Sequence, residues 1–190
     1  TPKSKLVIHN VLCNNTRIFF LKILKKINAD IKIKNLRKVS GELVGSITAS
    51  SSKLRPIIVS KDIGKFVDEL PILFIIAALT KGVSRFNNVG DLKHKESNRL
   101  LESKKILDQA GIKCKITKDS MIIYGKNKIE TKNKSILTKT KGDHRICMST
   151  AILSLVTGIR AKIKNFETVN TSFPEFISII KKLGGKIVIK

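Results

Sequence analysis

Tryptophan is absent from these 190 residues, tyrosine occurs once, and aromatics amount to 5%. So few rings leave little for stacking on unpaired bases. Acidic residues are scarce beside basic ones: 14 Asp and Glu against 38 Lys and Arg, a formal net charge of +24. Such an excess calls for an anionic partner or for a solvated face. Arginine is itself scarce, with seven of the 38, whereas nucleic-acid readers lean on Arg for bidentate contacts to phosphate and guanine. The lysines are scattered over every segment, and Ile and Asn are abundant with them. A Lys-Ile-Asn codon bias spread over the solvent face therefore accounts for the charge better than a nucleic-acid surface, and nucleic acid is not the expected partner.

Cysteine is sparse too. Cys13, Cys114 and Cys147 are odd in number, widely spaced and set in apolar company. That excludes a disulfide frame and a zinc motif, and points to a reducing, cytoplasmic setting. A long hydrophobic run is also missing. The longest, "LPILFIIAAL" at 70–79, is too short for a bilayer and reads as a buried core helix, so no membrane is expected. No early segment has a signal-peptide layout. The opening "TPKSKL" lacks a Met, so the chain reads as a processed or cut piece. What is present, 42% apolar and 27% charged residues, is ordinary globular composition.

Three segments share one plan of strand, loop, amphipathic helix and strand. They are "KLVIHNV" to "TRIFFLKILKKINAD" to "IKIK", "VSRFNNV" to "NRLLESKKILDQAG" to "IKCKI", and "RAKIKNF" to "EFISIIKKLGG" to "KIVIK". Asn10, Asn88 and Asn165 recur in them at spacings of 78 and 77 residues. Between them lie two helices apolar on nearly all sides, "FVDELPILFIIAALTKG" at 66–82 and "GDHRICMSTAILSLVTG" at 142–158. Such helices must be buried nearly all round. The expected architecture is α/β (α+β): a threefold βαβαββ-type repeat with buried helices and outer sheets, one domain spanning 1–190. "GELVGSITASSS" with "RPIIVS", and "KCKITKDSMIIYG" with "KSILTKT", read as strand pairs of those sheets. Gly82 and Gly158 read as the helix stops.

Charge collects where helices start. Asp68 and Asp143 are candidate N-caps. His144 and Arg145 follow Asp143 in a first turn, where cations oppose the helix dipole, so cation and free N–H groups together make an anion site. In "KHKESNRL", Lys93, Lys95 and Arg99 surround Glu96, and Glu96 with Arg99 can share a helix face. "NTSFPEF" reads as a third start, with Thr171 and Ser172 as caps and Pro174 in the first turn. Rotation-related repeats would turn these starts toward one face. Arg, Lys, His and two or three carboxylates there suit a phosphorylated, carboxylated small molecule, with groups available for proton transfer.

Four of these segments resemble motifs of the 3-phosphoshikimate 1-carboxyvinyltransferase (EPSP synthase) family. "KESNRL" is similar to its K-E-[ST]-D-R-[IL], "GDHRICMSTAILSL" to its G-D-H-R-[IL]-A-M, "VNTSFPEF" to its T-S-F-P, and "FVDELPILFIIAA" to its D-E-x-P helix, all in the family's order. The resemblance implies transfer of the enolpyruvyl group of phosphoenolpyruvate to a hydroxyl of shikimate 3-phosphate, a step of the shikimate pathway, with no metal or organic cofactor. It implies one of two similar domains that share a cleft, here the C-terminal half. It assigns Asp68 to the shikimate hydroxyls and to proton acceptance, and Lys95 to the shikimate phosphate. Glu96 becomes the acid–base partner of the methylene carbon. Arg99 and Arg145 become clamps for carboxylate and phosphate, with His144 beside them.

Departures accompany the resemblance. The chain is about half the family's length, so a separate N-terminal-half chain is a candidate partner. Asn98 stands where the motif has Asp, Lys93 where Arg is typical, His94 where an apolar residue is usual, and "GELVGSI" lacks the family's Pro and Asp. Half a cleft should bind weakly and turn over negligibly by itself. A split subunit, a fragment and the product of a decaying gene all fit, and the substitutions lean toward decay. The rival readings are a UDP-N-acetylglucosamine enolpyruvyltransferase, a basic nucleic-acid-binding module and a non-catalytic remnant.

Overall fold

The structure is a computed structural model that describes residues 2–132 and 134–188. Its first unit is β1 (Lys5–Leu12), α1 (Phe19–Lys26), β2 (Asp30–Val39), β3 (Glu42–Ser50), β4 (Ile58–Val59) and α2 (Leu70–Ala78). The second repeats that order as β5 (Gly82–Phe86), α3 (Arg99–Gln109), β6 (Cys114–Ile116), β7 (Met121–Gly125), β8 (Ser135–Lys139) and α4 (His144–Thr157). The third is represented by β9 (Arg160–Lys164) and α5 (Phe176–Lys182). The recurring asparagines share a backbone role as well as a spacing. Asn10, Asn88 and Asn165 have φ of 55°, 59° and 59°, the left-handed region that Asn tolerates better than most residues.

The strands form three sheets, ordered β1-β3-β2, β4-β5-β7-β6 and β8-β9. β4 pairs parallel with β5 and β8 parallel with β9, and each pair is joined through a crossover helix, α2 or α4. This corrects the strand pairs read from sequence. β4 lies in a different sheet from β3, and β8 pairs with β9 instead of β7. Parallel partners are chosen by the crossover, which carries no local turn signature.

α2 is apolar all round because it is enclosed. Leu70, Leu73, Phe74, Ala77 and Ala78 are fully buried, and the Phe74 ring meets Phe86 of β5 edge-on with centroids 4.8 Å apart. Each of the Leu and Phe side chains contributes about 1.5–3 kcal/mol by leaving water. α4 is set as a helix by both ends. Asp143 caps it, and Gly158 closes it at φ 77°, a conformation that costs glycine little. α1 buries Leu21 and Ile23 while its last turn carries Lys25 and Lys26, which suits the helix dipole.

Three boundaries differ from the sequence reading. α2 is preceded by a 3-10 turn at Val67–Glu69 and ends at Ala78, so Gly82 begins β5 instead of stopping the helix. Residues 186–188 of "KIVIK" are not strand, and 189–190 lie outside the described residues. The matching β6 is held by β7, and the third unit has no such neighbour among the described residues. A strand's stability comes from its cross-strand partners, so residues 186–188 do not form one. Third, α5 begins only at Phe176. Its N-cap position, Glu175, makes no side-chain cap bond, and the Thr171 hydroxyl donates back to the Thr168 carbonyl. Thr171 and Ser172 therefore do not cap it, and Pro174 precedes it.

Gly125 marks where β7 passes under the end of α2. A Cβ there would lie 2.1 Å from the carbonyl oxygens of Ala77 and Thr80, both backbone atoms. Gly125→Ala is therefore expected to destabilise the chain by about 1–3 kcal/mol or more, read as a lower urea midpoint at unchanged slope.

Candidate functional site

A crossover helix starts at the carboxyl end of the strand before it. α2 thus starts beyond β4 and α4 beyond β8, while α3 starts beyond β5, which runs parallel to β4. Open α/β sheets place ligand sites at this end. The three starts meet around one guanidinium.

That guanidinium belongs to Arg99, the first residue of α3, and the residue is 1% exposed. Its Nε donates to Asp143 Oδ2 at 2.9 Å, its Nη1 to Asp68 Oδ1 at 2.9 Å, and its Nη2 to Glu96. Asp143 is fully buried. Its second oxygen caps α4 by accepting from the N–H groups of Arg145 (3.1 Å) and Ile146 (3.3 Å), and Ser97 Oγ donates to Oδ2 at 2.8 Å. One carboxylate therefore ties the start of α4 to the start of α3. Burying two ions costs several kcal/mol each, and only such complete hydrogen bonding offsets it.

Around this buried pair lies a more open shell. Lys95 Nζ is 3.5 Å from Asp68 Oδ1, and Arg145 Nη2 is 3.7 Å from Asp68 Oδ2. Arg145 Nη1 donates to the Asp68 carbonyl at 2.8 Å and lies 3.7 Å from Glu69 Oε1. Burial acts to raise the Asp68 carboxyl, but the charges of Arg145, Lys95 and Arg99 with the Arg99 hydrogen bond outweigh it and hold it below the ordinary 3.8. In Asp143 burial again acts upward, and it is outweighed by the hydrogen bonds from Arg99 and Ser97, the Arg99 charge and the Ile146 N–H. Both stay ionised at neutral pH.

Several sequence expectations are corrected by this geometry. Asp68 is no helix cap; it lies in the 3-10 turn with no side-chain cap bond, and its carboxylate serves the three cations. Lys93 does not surround Glu96, because its amine lies 3.9 Å from Asp119 and donates to the Lys118 carbonyl at 2.5 Å. Glu96 meets Arg99 from the bend ahead of α3, not from a shared helix face. His144 is half-buried beside Arg145, and its side chain makes no hydrogen bond or ion pair among the described residues. The sequence reading missed Ser97 entirely and gave Asp143 only its cap; "ES" between Lys95 and Arg99 offered no signal of a bond 46 residues away. Asn98 fills the capping role at α3 by accepting from the Leu101 N–H at 3.0 Å, and Asn caps as well as Asp does.

Cys114 and Cys147 are free and buried. Burial first, with Asp108 beside Cys114 and with Glu167 and Asp143 near Cys147, pushes both thiols up to about 12. Among the described residues no group of three His, Cys, Asp or Glu side chains is placed to hold a metal ion. No helix there is long and apolar enough to cross a membrane.

Residues 1–180 match the family EPSP synthase (3-phosphoshikimate 1-carboxyvinyltransferase). The chain belongs to the EPSP synthase family. It is 39% identical over 186 residues to the 3-phosphoshikimate 1-carboxyvinyltransferase of Campylobacter jejuni subsp. doylei, a match covering 98% of this chain and 42% of that protein. The enzyme of the same name from Caldicellulosiruptor saccharolyticus is 35% identical, covering 97% and 42%. Among solved structures, an EPSP synthase from Acinetobacter baumannii superposes with TM-score 0.85 at 32% identity, covering 96% of this chain and 42% of that one. The enolpyruvyl transferase NikO from Streptomyces tendae shares the fold, with TM-score 0.67 at 16% identity, covering 96% and 39%. The chain thus spans under half the length of the EPSP synthases it matches and forms one domain of the two-domain enolpyruvyltransferase-like fold.

Asp143→Ala is expected to cost about 3–5 kcal/mol, because it strands a buried guanidinium and uncaps α4. Asp143→Asn keeps the cap and costs less, a difference read by urea unfolding. Because Asp68 and Asp143 have depressed folded values, their stabilisation is complete above about pH 4 and is lost as pH falls through those values. Acid titration of the unfolding free energy checks this, with a shallower decline expected in Asp143→Asn.

Proposed function

We propose that this chain supplies one wall of an active site that transfers the enolpyruvyl group of phosphoenolpyruvate to a hydroxyl of shikimate 3-phosphate, releasing phosphate. The carrying observation is convergence: Asp68, Glu96, Arg99 and Arg145, from segments up to 77 residues apart, share one network at the helix starts. Lys95 and Arg145 are partly open to solvent and present charge for phosphate and carboxylate. Glu96, the exposed acid of the cluster, is the group that exchanges a proton with the methylene carbon. Asp68, ionised and between cations, accepts hydrogen bonds from shikimate hydroxyls and takes up the proton of the attacking one.

Arg99 acts differently from an open clamp. Its nitrogens are engaged, so an anionic substrate reaches Nη1 or Nη2 only by displacing Asp68 or Glu96. Displacement frees a carboxylate for proton transfer as substrate arrives. The net positive surround then stabilises the several negative charges of a tetrahedral intermediate. His144, adjacent to Arg145 at the start of α4, completes the face. The opposite wall comes from polypeptide outside these residues, since the reactants need positioning from both sides.

The test is phosphate release from phosphoenolpyruvate and shikimate 3-phosphate. The chain is assayed alone and with the rest of the Campylobacter jejuni enzyme as a second polypeptide. Release is expected only with both. Arg145→Ala is expected to lower it by about 100-fold, the worth of one or two charge-assisted hydrogen bonds. Glu96→Gln is expected to lower turnover while leaving the substrate concentration dependence nearly unchanged. No release from two folded, associated chains would overturn the proposal.

A further inference from the structure

Lys95 and Glu96, the side chains read above as meeting phosphate and the methylene carbon, sit on neither helix nor strand. Residues 95–97 form a bend between the 3-10 turn that ends at His94 and the start of α3 at Arg99. A bend has no ladder of backbone bonds to hold it, so its placement depends on what its own residues grip. Of residues 95–98, Ser97 alone is buried, at 8% exposure, with an exposed Glu96 and an exposed Asn98 on either side.

The grips of this bend differ in what can compete for them. Lys95 pairs with Asp68 and Glu96 with Arg99 Nη2, and the side chains of Asp68 and Glu96 are 44% and 50% exposed. An anionic substrate competes directly for the cations of both outer pairs. Ser97 instead donates from Oγ to Asp143 Oδ2 at 2.8 Å, and Asp143 is 0% exposed. A hydroxyl bonded to a carboxylate away from water is among the stronger hydrogen bonds. The Ser97 carbonyl also accepts the Arg99 N–H at 2.8 Å. The residue is thus tied to α3 by its backbone and to the cap of α4 by its side chain. When the outer pairs exchange for substrate, the Ser97 bond is the grip that stays.

We propose that Ser97 is a positioning residue for proton transfer: through its bond to Asp143 it holds the 95–97 bend while substrate displaces the outer pairs, and so fixes where Glu96 meets the methylene carbon. The inference rests on the reading of Glu96 as the group that exchanges that proton. Ser97 itself touches no reacting atom. Its hydroxyl is engaged by a carboxylate that three other donors also serve, Arg99 Nε and the N–H groups of Arg145 and Ile146. Of those four donors only Ser97 belongs to the bend, so its loss leaves Asp143 capping α4 and facing Arg99 while the bend is released. A reacting group misplaced by about 1 Å can cost about 100-fold in rate. A Glu96 carried on a loosened bend keeps its charge but occupies the reactive position less often. The loss therefore falls on kcat and spares KM.

The test compares Ser97→Ala and Ser97→Thr with the wild-type chain, the second variant keeping the hydroxyl. In the chain alone, amide exchange at Arg99, whose N–H is held by the Ser97 carbonyl, is expected to quicken by about tenfold in Ser97→Ala. Exchange at Leu101, whose N–H is capped by Asn98, should stay as in wild type. The urea midpoint should fall less than it does in Asp143→Ala. With the rest of the Campylobacter jejuni enzyme as a second polypeptide, Ser97→Ala is expected to lower kcat for phosphate release by about tenfold or more. KM for both substrates should stay within about twofold. Ser97→Thr should recover most of the lost kcat and the wild-type exchange. A serine with a structural role alone would lower activity only as far as it lowers the folded fraction, so the split between kcat and KM, read where all variants are folded, separates the two. Wild-type kcat in Ser97→Ala, a loss that Ser97→Thr fails to restore, a rise in KM alone, or unchanged exchange at Arg99 would each overturn this inference and leave Glu96 its role. No phosphate release from the wild-type pair would overturn the reading of Glu96 and this inference with it.

Discussion

The buried ion pair between Arg99 and Asp143 is the constraint on which the rest of the site depends. A guanidinium almost without solvent contact persists only if each of its edges is met, and here three carboxylates from three segments meet them. Because Asp143 also caps α4, the pair fixes the relative placement of two helix starts. Asp68 then gathers Lys95 and Arg145 on the open side. The charges that tie the helix starts together thus run from a buried pair to side chains that lie toward solvent.

Repetition explains how so few residues come together. Each crossover helix starts at the carboxyl end of its leading strand, so the first two units deliver the charged starts of α2 and α4 to the same end. The same repetition makes differences in burial visible. Leu6 and Ile8 look unremarkable as exposed strand residues until they are set beside Ser84 and Phe86, their enclosed counterparts.

The periodic helices, the two enclosed helices and the spacing of Asn10, Asn88 and Asn165 were legible in the sequence, since each follows from local pattern and period. Charge at the helix starts was legible too, and so was the family. Caps were read less well. Asp143 caps and Asp68 does not, although both are acids ahead of apolar runs, because Asp68 is drawn off by cations from α3 and α4. Residues 186–188 of "KIVIK" have a strand's composition but no pairing neighbour among the described residues. Ser97 lay in plain view with its partner 46 residues away.

The sequence by itself determined the units, their order and the chemical character of each helix start, because period, capping residues and charge density are local properties. Only the tertiary structure decided that Arg99 is buried among three carboxylates and that β4 and β8 pair forward into the next unit. Those depend on which distant groups share a small, poorly hydrated space, and no local pattern in the chain encodes that.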